Sequence, residues 1–246
     1  MPEVKIIVAD DGEMTEEKDG IYAELIREGH KVILLPFDSG FGKKSNAIAA
    51  ALDTEFLLVS SDDFNHGEPS VRVGIEKMLE VLDREPSLSI VSGTVDNQSY
   101  EYFLIEEDSI VTEWKITPFM AQYYVGWIPC DLTKNYSLIR RNVFWTEGLE
   151  TNENGTGYVE KRTNIGWDND VKIGGGEHAA FFLDVKQAGL AVAYVPGVNI
   201  NAQESSDSVE YNKFRRRACR PERECFKRRG IKKYILADGT VDYAVE

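Results

Sequence analysis

Over the first ninety residues, short apolar runs alternate with stretches whose apolar positions recur every three or four residues. Val4–Ala9 is an apolar run ending in Asp10-Asp11-Gly12, which reads as a strand followed by a turn. Glu16–Glu28 has helical spacing, with Ile21, Leu25 and Ile26 on the expected inner face and Gly29 as the stop. Lys31–Pro36 predicts a second strand, Lys43–Leu52 an alanine-rich helix and Glu55–Ser60 a third strand. Glu68–Arg84 is the next helix, closed by Pro86, and Ser87–Val95 a buried strand. Strand–helix–strand units at this spacing imply parallel strands joined by right-handed crossovers. A ligand crevice is then expected at the strands' carboxyl ends.

Beyond residue 96 the period changes. Two β-rich runs between Tyr100 and Trp114, broken by Glu106-Glu107-Asp108, predict an antiparallel hairpin. Tyr123–Ile128 and Tyr136–Arg140 read as short strands, and Arg141–Glu147 as a helical turn. Residues 148–166 are rich in Gly, Asn and Thr, the composition of a mobile loop over a site. Glu177–Ala188 predicts a helix ended by Gly189, Ala191–Val195 the last strand and Lys213–Arg229 a terminal basic helix. With no internal repeat and no linker, residues 1–246 are expected to form one α/β domain with a mostly parallel central sheet flanked by helices and a small antiparallel element. Its parts are 1–96, 97–207 and a basic C-terminal helix and tail over 208–246.

Composition narrows the class. A chain of 246 residues that is 42% hydrophobic can bury one sizeable core. No apolar run approaches the roughly 18–20 residues of a membrane span. Met1 leads directly into the first strand without a charged, cleavable leader, so neither signal peptide nor anchor is expected. Cys130, Cys219 and Cys225 have no metal-ligand spacing and suit a reducing compartment, which makes a cytoplasmic location the expectation. The net charge of −14 argues against general nucleic-acid binding. That charge is unevenly spread: residues 213–246 carry 11 of the 28 basic and 5 of the 42 acidic residues, a net +6 against −20 for the rest. A basic tail on an acidic body is an anionic-ligand clamp, a membrane-surface patch or a solvated helix face.

The candidate chemistry sits after the early strands. Asp10-Asp11 follows the first, Asp38 through Asn46 (DSGFGKKSN) the second, and Asp62-Asp63 the third. In a parallel sheet these loops converge on one crevice, where carboxylates hold Mg2+ or Mn2+ and the metal bridges diphosphate oxygens. Taken singly, each cluster is also ordinary turn and helix-cap chemistry.

In order and spacing, Asp10-Asp11-Gly12, Gly40-x-Gly42-Lys43-Lys44-x-Asn46, the LLVSSDDF run ending at Phe64 and the GGEHAAFF run ending at Phe182, with Tyr194-Val195-Pro196 downstream, resemble GT-A glycosyltransferases of the family 2 type over roughly residues 4–217. The resemblance implies a nucleotide-binding half over 1–96 and an acceptor-binding half over 97–207. By it, Asp10, Asp11, Asp38, Lys43, Lys44, Asn46 and Asp62 contact the nucleotide sugar. Asp62 and Asp63 lie in the metal-binding region, where Ser61 stands in place of the usual first acid; the ligand is one of the two, with Asp63 favoured. The cofactor so implied is Mn2+ or Mg2+. Lys213, Arg215 and Arg216 match a basic segment that closes over the diphosphate and stabilises the departing charge.

Glu177, at a helix start, matches the position of the base that deprotonates the acceptor hydroxyl in inverting relatives, and His178 replaces a second acid there. A histidine is itself a competent base near neutral pH. Trp167 and Asp168 suit the acceptor side, where sugar faces stack on rings; Trp127, Tyr123 and Trp145 are further aromatic candidates. After Pro196, where relatives place a metal-binding histidine, the chain runs through Asn201 and Gln203. The activity implied is inverting transfer from a nucleoside-diphosphate sugar, UDP by family frequency, to a carbohydrate or glycoconjugate acceptor. The alternative is a non-catalytic GT-A module that binds nucleotide sugar or glycan. A nucleotidyltransferase would need a basic, glycine-rich loop after the first strand, and an NAD enzyme a G-x-G-x-x-G there; Asp10-Asp11-Gly12 is neither.

Overall fold

The computed structural model describes residues 4–98, 102–133, 135–152, 155–172, 177–203, 209, 213 and 222–245. Four groups of strands make up its sheets. β1 (Ile7–Asp10) and β2 (Lys31–Leu34) pair in parallel and are joined by α1 (Glu16–Arg27), which is N-capped by the Thr15 hydroxyl. α1 lies at the periphery: Ile21 and Ile26 are exposed rather than turned inward, and only Lys18, Tyr22 and Leu25 are half-buried.

The central sheet has the order β3-β8-β4-β11-β7, from Phe56–Val59, Ser137–Arg140, Leu88–Val95, Ala191–Ile200 and Ile128–Cys130. β3, β4 and β11 run in one direction, but β8 is interposed between β3 and β4 and is antiparallel to both. The sheet is therefore mixed rather than mostly parallel. β4 is buried along all eight residues, which explains its unbroken apolar run.

On one face of the sheet, α3 (Pro69–Arg84) presents Val71, Gly74, Met78 and Leu82, spaced three and four apart, to Val91, Leu138 and Ala193. The other face packs Ile90, Ile139 and Val192 with the larger cluster. That cluster includes Ala49 of α2 (Phe41–Ala50) and Phe181 and Leu183 of α5 (Glu177–Gln187). Successive residues Leu138 and Ile139, and Val192 and Ala193, divide between the two faces as strand alternation requires.

The hairpin expected after residue 100 forms from β5 (Tyr102–Glu107) and β6 (Ile110–Lys115). It is extended by β12 (Lys233–Ile235) and β13 (Val241–Ala244), so β11 is not the last strand. Where the composition suggested a loop, β9 (Trp145–Asn152) and β10 (Gly155–Arg162) pair as antiparallel strands. Thr156, Tyr158 and Val159 supply the β-propensity there. Tyr123–Trp127 is not strand; pairing starts at Ile128. α4 is the single turn Pro118–Ala121. Of the basic segment, α6 covers Glu222–Arg228, its Cys225 and Phe226 fully buried.

Candidate active site

The carboxyl ends of β1, β2 and β3 carry the three acidic clusters, and the charges on the first two are matched. Asp10 binds Lys18 Nζ at 2.9 Å and accepts from the Gly12 N–H at 3.0 Å and from the Tyr22 hydroxyl. Burial opposes its charged form, but these donors outweigh that effect and hold its pKa below the ordinary carboxylate value. Asp11 binds Lys44 Nζ at 3.0 Å and accepts from the Gly40 N–H at 2.7 Å. Asp38, in the left-handed region at φ 57°, donates its N–H to Asp11 O and holds Lys172 Nζ at 2.8 Å. Lys43 is exposed on the first turn of α2. Tyr22 ties the clusters together: its pKa is raised by burial and by the hydrogen bond to Asp10, and the charge of Asp62 raises it further.

Asp62 and Asp63 are different. Both are exposed, and among the described residues neither takes part in an ion pair. Their loop is held from below, by the Gln203 N–H on Asp63 O at 2.6 Å and the Asn65 N–H on Asn201 O at 2.8 Å. A polar ladder supports it: the Thr94 hydroxyl and the Asn97 N–H donate to Asn199 Oδ1, and Asn199 Nδ2 donates to Asn201 Oδ1. Asn201 Nδ2 then donates to the Glu68 carboxylate, which also takes Asn65 Nδ2. Asn201 therefore spends its amide on the ladder and is not a spare ligand. His66, whose Nε2 lies 3.2 Å from Ser60 Oγ, and the ladder itself escaped sequence reasoning; Asn at alternate positions 199 and 201, at the end of an apolar strand and just beyond it, was the available signal.

The fit to a divalent cation rests on donor chemistry. Two hard carboxylates with no lysine or arginine on them among the described residues suit Mg2+ or Mn2+ completed by water and phosphate oxygens. Among the described residues no three His, Cys, Asp or Glu side chains converge as a closed protein site.

Structure corrects the reading of the Gly40–Asn46 motif and of the acceptor pair. A Cβ on Gly42 would overlap Asp168 O, and one on Gly40 would press on Lys172 Cα. The two glycines admit the 166–172 segment rather than a phosphate. The Phe41 and Gly42 N–H groups donate to Lys172 O and Val171 O, so the first turn of α2 is already capped. Asn46 clamps the same segment: Nδ2 donates to Trp167 O at 2.6 Å and to Asn169 Oδ1 at 2.9 Å, and Oδ1 accepts from the Trp167 N–H at 3.0 Å. It is a structural clamp, not a nucleotide ligand.

The Trp167 ring is 5% exposed and stacks on Phe181 at 4.3 Å with planes 4° apart, so it has no face for a sugar. Asp168 is saturated by Arg228 Nη2 at 2.5 Å and Arg229 Nη1 at 3.1 Å, which removes it from acceptor binding. Burial opposes its ionisation, but the Arg228 bond, the Asp170 N–H and the Arg229 bond prevail and lower its pKa. Trp145 lies under Arg141 and Arg162 and donates Nε1 to Ala49 O.

α5 begins beside this crevice, since the His178 ring meets Phe41 edge-on at 5.4 Å and Phe41 adjoins the Gly40 that binds Asp11. Glu177 starts the helix, but its side chain lies outside the described structure, as do Arg215 and Arg216; Lys213 is exposed. The basic end of α6 is committed elsewhere. Arg229 forms a two-pronged pair with Asp184, at 2.8 and 2.7 Å, besides holding Asp168.

The fold has counterparts among known proteins. A solved structure of GalNAc-T7 with UDP, GalNAc and Mn2+ superposes with a TM-score of 0.51 at 13% identity, covering 85% of this chain and 41% of that one. At that identity the likeness concerns the fold, which is the GT-A fold. S. aureus TarS covers 81% of this chain and 51% of its own, at 14% identity and a TM-score of 0.47. The Homo sapiens protein Beta-1,4 N-acetylgalactosaminyltransferase 1 is 31% identical over 94 residues, 38% of this chain and 16% of that protein. The chain thus spans less than half of GalNAc-T7 and a sixth of the human relative. The model of the family described as Glycosyl transferase family 2 matches residues 1–148, more than half the sequence. The chain belongs to glycosyl transferase family 2.

Proposed function

We propose that this chain transfers a sugar from a UDP-sugar to an acceptor hydroxyl with inversion. The observation that carries the reading is the charge pattern of the crevice. Asp10, Asp11 and Asp38 are matched by lysines, whereas the exposed Asp62–Asp63 carboxylates at the end of β3 have no ion pair among the described residues. A divalent cation held there, Mn2+ or Mg2+ with Asp63 favoured, would supply charge neutralisation for the diphosphate as it leaves. Two relatives motivate the choice of donor for a first assay, one solved with UDP, GalNAc and Mn2+ and one named as an N-acetylgalactosaminyltransferase.

The chain's own residues have separate tasks. Asp10 and Asp11, fixed by Lys18, Lys44 and two backbone N–H groups, accept hydrogen bonds from base or ribose without reorganising. Glu177 takes the proton from the acceptor hydroxyl, with His178 beside it. Lys213, Arg215 and Arg216 add positive charge over the departing diphosphate.

The test is transfer from UDP-GalNAc and other UDP-sugars with Mn2+, comparing wild type with Glu177→Gln and Asp63→Asn. Glu177→Gln is expected to lose at least about 100-fold in kcat, the scale of a general base, and Asp63→Asn to lose activity together with its response to Mn2+. Glu177→Gln transferring as fast as wild type would exclude Glu177 as the base. Tight UDP binding indifferent to metal, with no turnover on any acceptor, would identify a binding module instead.

A further inference from the structure

The row of strands has two ends at the crevice rim. The acidic loop after β3 occupies one, and the approach to β7 occupies the other. β7 runs antiparallel to β11 with Ile128 opposite Tyr194, and Tyr194 is level with Ser92 of β4. The segment entering β7 therefore comes from the side of the sheet toward which β4 and β11 run, the side on which Asp62-Asp63 follow β3. That segment is Tyr123-Tyr124-Val125-Gly126-Trp127. Tyr123 is 70% exposed, Tyr124 43% and Val125 93%, while Trp127 is half-buried and packs on the core beneath. Gly126 turns the chain at φ +87°, a conformation that favours glycine. Large apolar side chains are seldom left together in solvent without a ligand to cover them.

We propose that Tyr123 and Tyr124 form the acceptor platform of the enzyme, a pair of rings on which a pyranose of the acceptor saccharide lies. The inference rests on the glycosyltransferase reading above. A pyranose has an apolar C–H face and a hydroxyl rim. The first matches exposed aromatic rings. The second needs hydrogen-bonding groups, and Asn97, exposed at the end of β4, provides them between the platform and the nucleotide end. Position decides in favour of the acceptor over the donor, because the Asp62-Asp63 loop follows β3, at the opposite edge of the five-stranded sheet from β7.

The experiment uses the full chain as wild type, Tyr123→Ala, Tyr124→Ala, the double variant and Tyr124→Phe, with Mn2+ and UDP-GalNAc. Acceptor probes are methyl β-galactopyranoside, methyl β-glucopyranoside and lactose. Losing one ring is expected to raise the acceptor KM about ten-fold, with UDP affinity and donor hydrolysis unchanged and Tyr124→Phe close to wild type. An acceptor KM unchanged in the double variant overturns the platform while leaving the transferase reading intact. If wild type turns over no donor, the transferase reading fails by itself, and saturation-transfer NMR with the same saccharides still decides the platform. Contacts present in wild type and lost in the double variant uphold it, and their absence from wild type overturns it. Binding of wild type, but not the double variant, to phosphatidylglycerol vesicles, without any saccharide effect, assigns the loop to a membrane surface and also overturns the proposal.

Discussion

Replacing Asn46 by alanine separates the two roles that sequence and structure give this residue. As a nucleotide ligand its loss would weaken UDP binding; as the clamp on Trp167 its loss would weaken the fold. The truncation leaves the Trp167 N–H and C=O without partners, while Asn169, being exposed, turns to solvent. A buried backbone group left unpaired costs about 1–3 kcal/mol. A polar cleft of about 310 Å3 bounded by Asn46, Gly166, Trp167, Asn169 and Arg162 adjoins the site and lets water reach both groups. The lower end of that range therefore applies twice, for a total of about 2–3 kcal/mol. In a chain of this length that lowers Tm by about 4–12 °C, read by circular dichroism. UDP affinity, read by calorimetry, stays within about two-fold of wild type, a few tenths of a kcal/mol. Asn46→Asp should lose at least as much as alanine, because a carboxylate cannot donate to Trp167 O and sets its charge against two oxygens. An alanine variant that melts with wild type but binds UDP ten-fold more weakly would refute the clamp.

Other outcomes follow from single contacts. The Tyr136 hydroxyl is fully buried and is the one buried side-chain polar atom of the described residues without a hydrogen-bond partner, and burial pushes its pKa up to about 12. Tyr136→Phe is therefore expected to raise stability by about 1 kcal/mol, seen as a higher urea midpoint at unchanged slope; a lower midpoint would reveal a partner for the hydroxyl. Asp168 has a folded pKa below its unfolded value of about 3.9. The stability it contributes is present above that value and is lost as pH falls through the folded pKa. Asp168→Asn should accordingly flatten the fall in stability below about pH 4, measured by urea titration across pH; an identical pH profile would show that the Arg228 and Arg229 contacts contribute nothing.

Local pattern and tertiary placement divide the molecule between them. The apolar runs at Ile7–Asp10, Lys31–Leu34, Phe56–Val59 and Leu88–Val95, the helices between them and the acids that follow three of the strands were legible, because burial period and turn chemistry are written in neighbouring residues. The family resemblance was legible for the same reason, since its motifs are short and ordered. The partners of those motifs were not. Gly40, Gly42 and Asn46 look alike whether they face a phosphate or a peptide backbone, and only the fold brings residues 166–172 against them. A lone tryptophan does not declare whether its ring is covered, and Trp167 is covered by Phe181 and Phe144. β8 between β3 and β4 is a pairing between strands far apart in the chain, which local pattern does not record. Periodicity states that a strand has a buried face and leaves its neighbour to the tertiary fold.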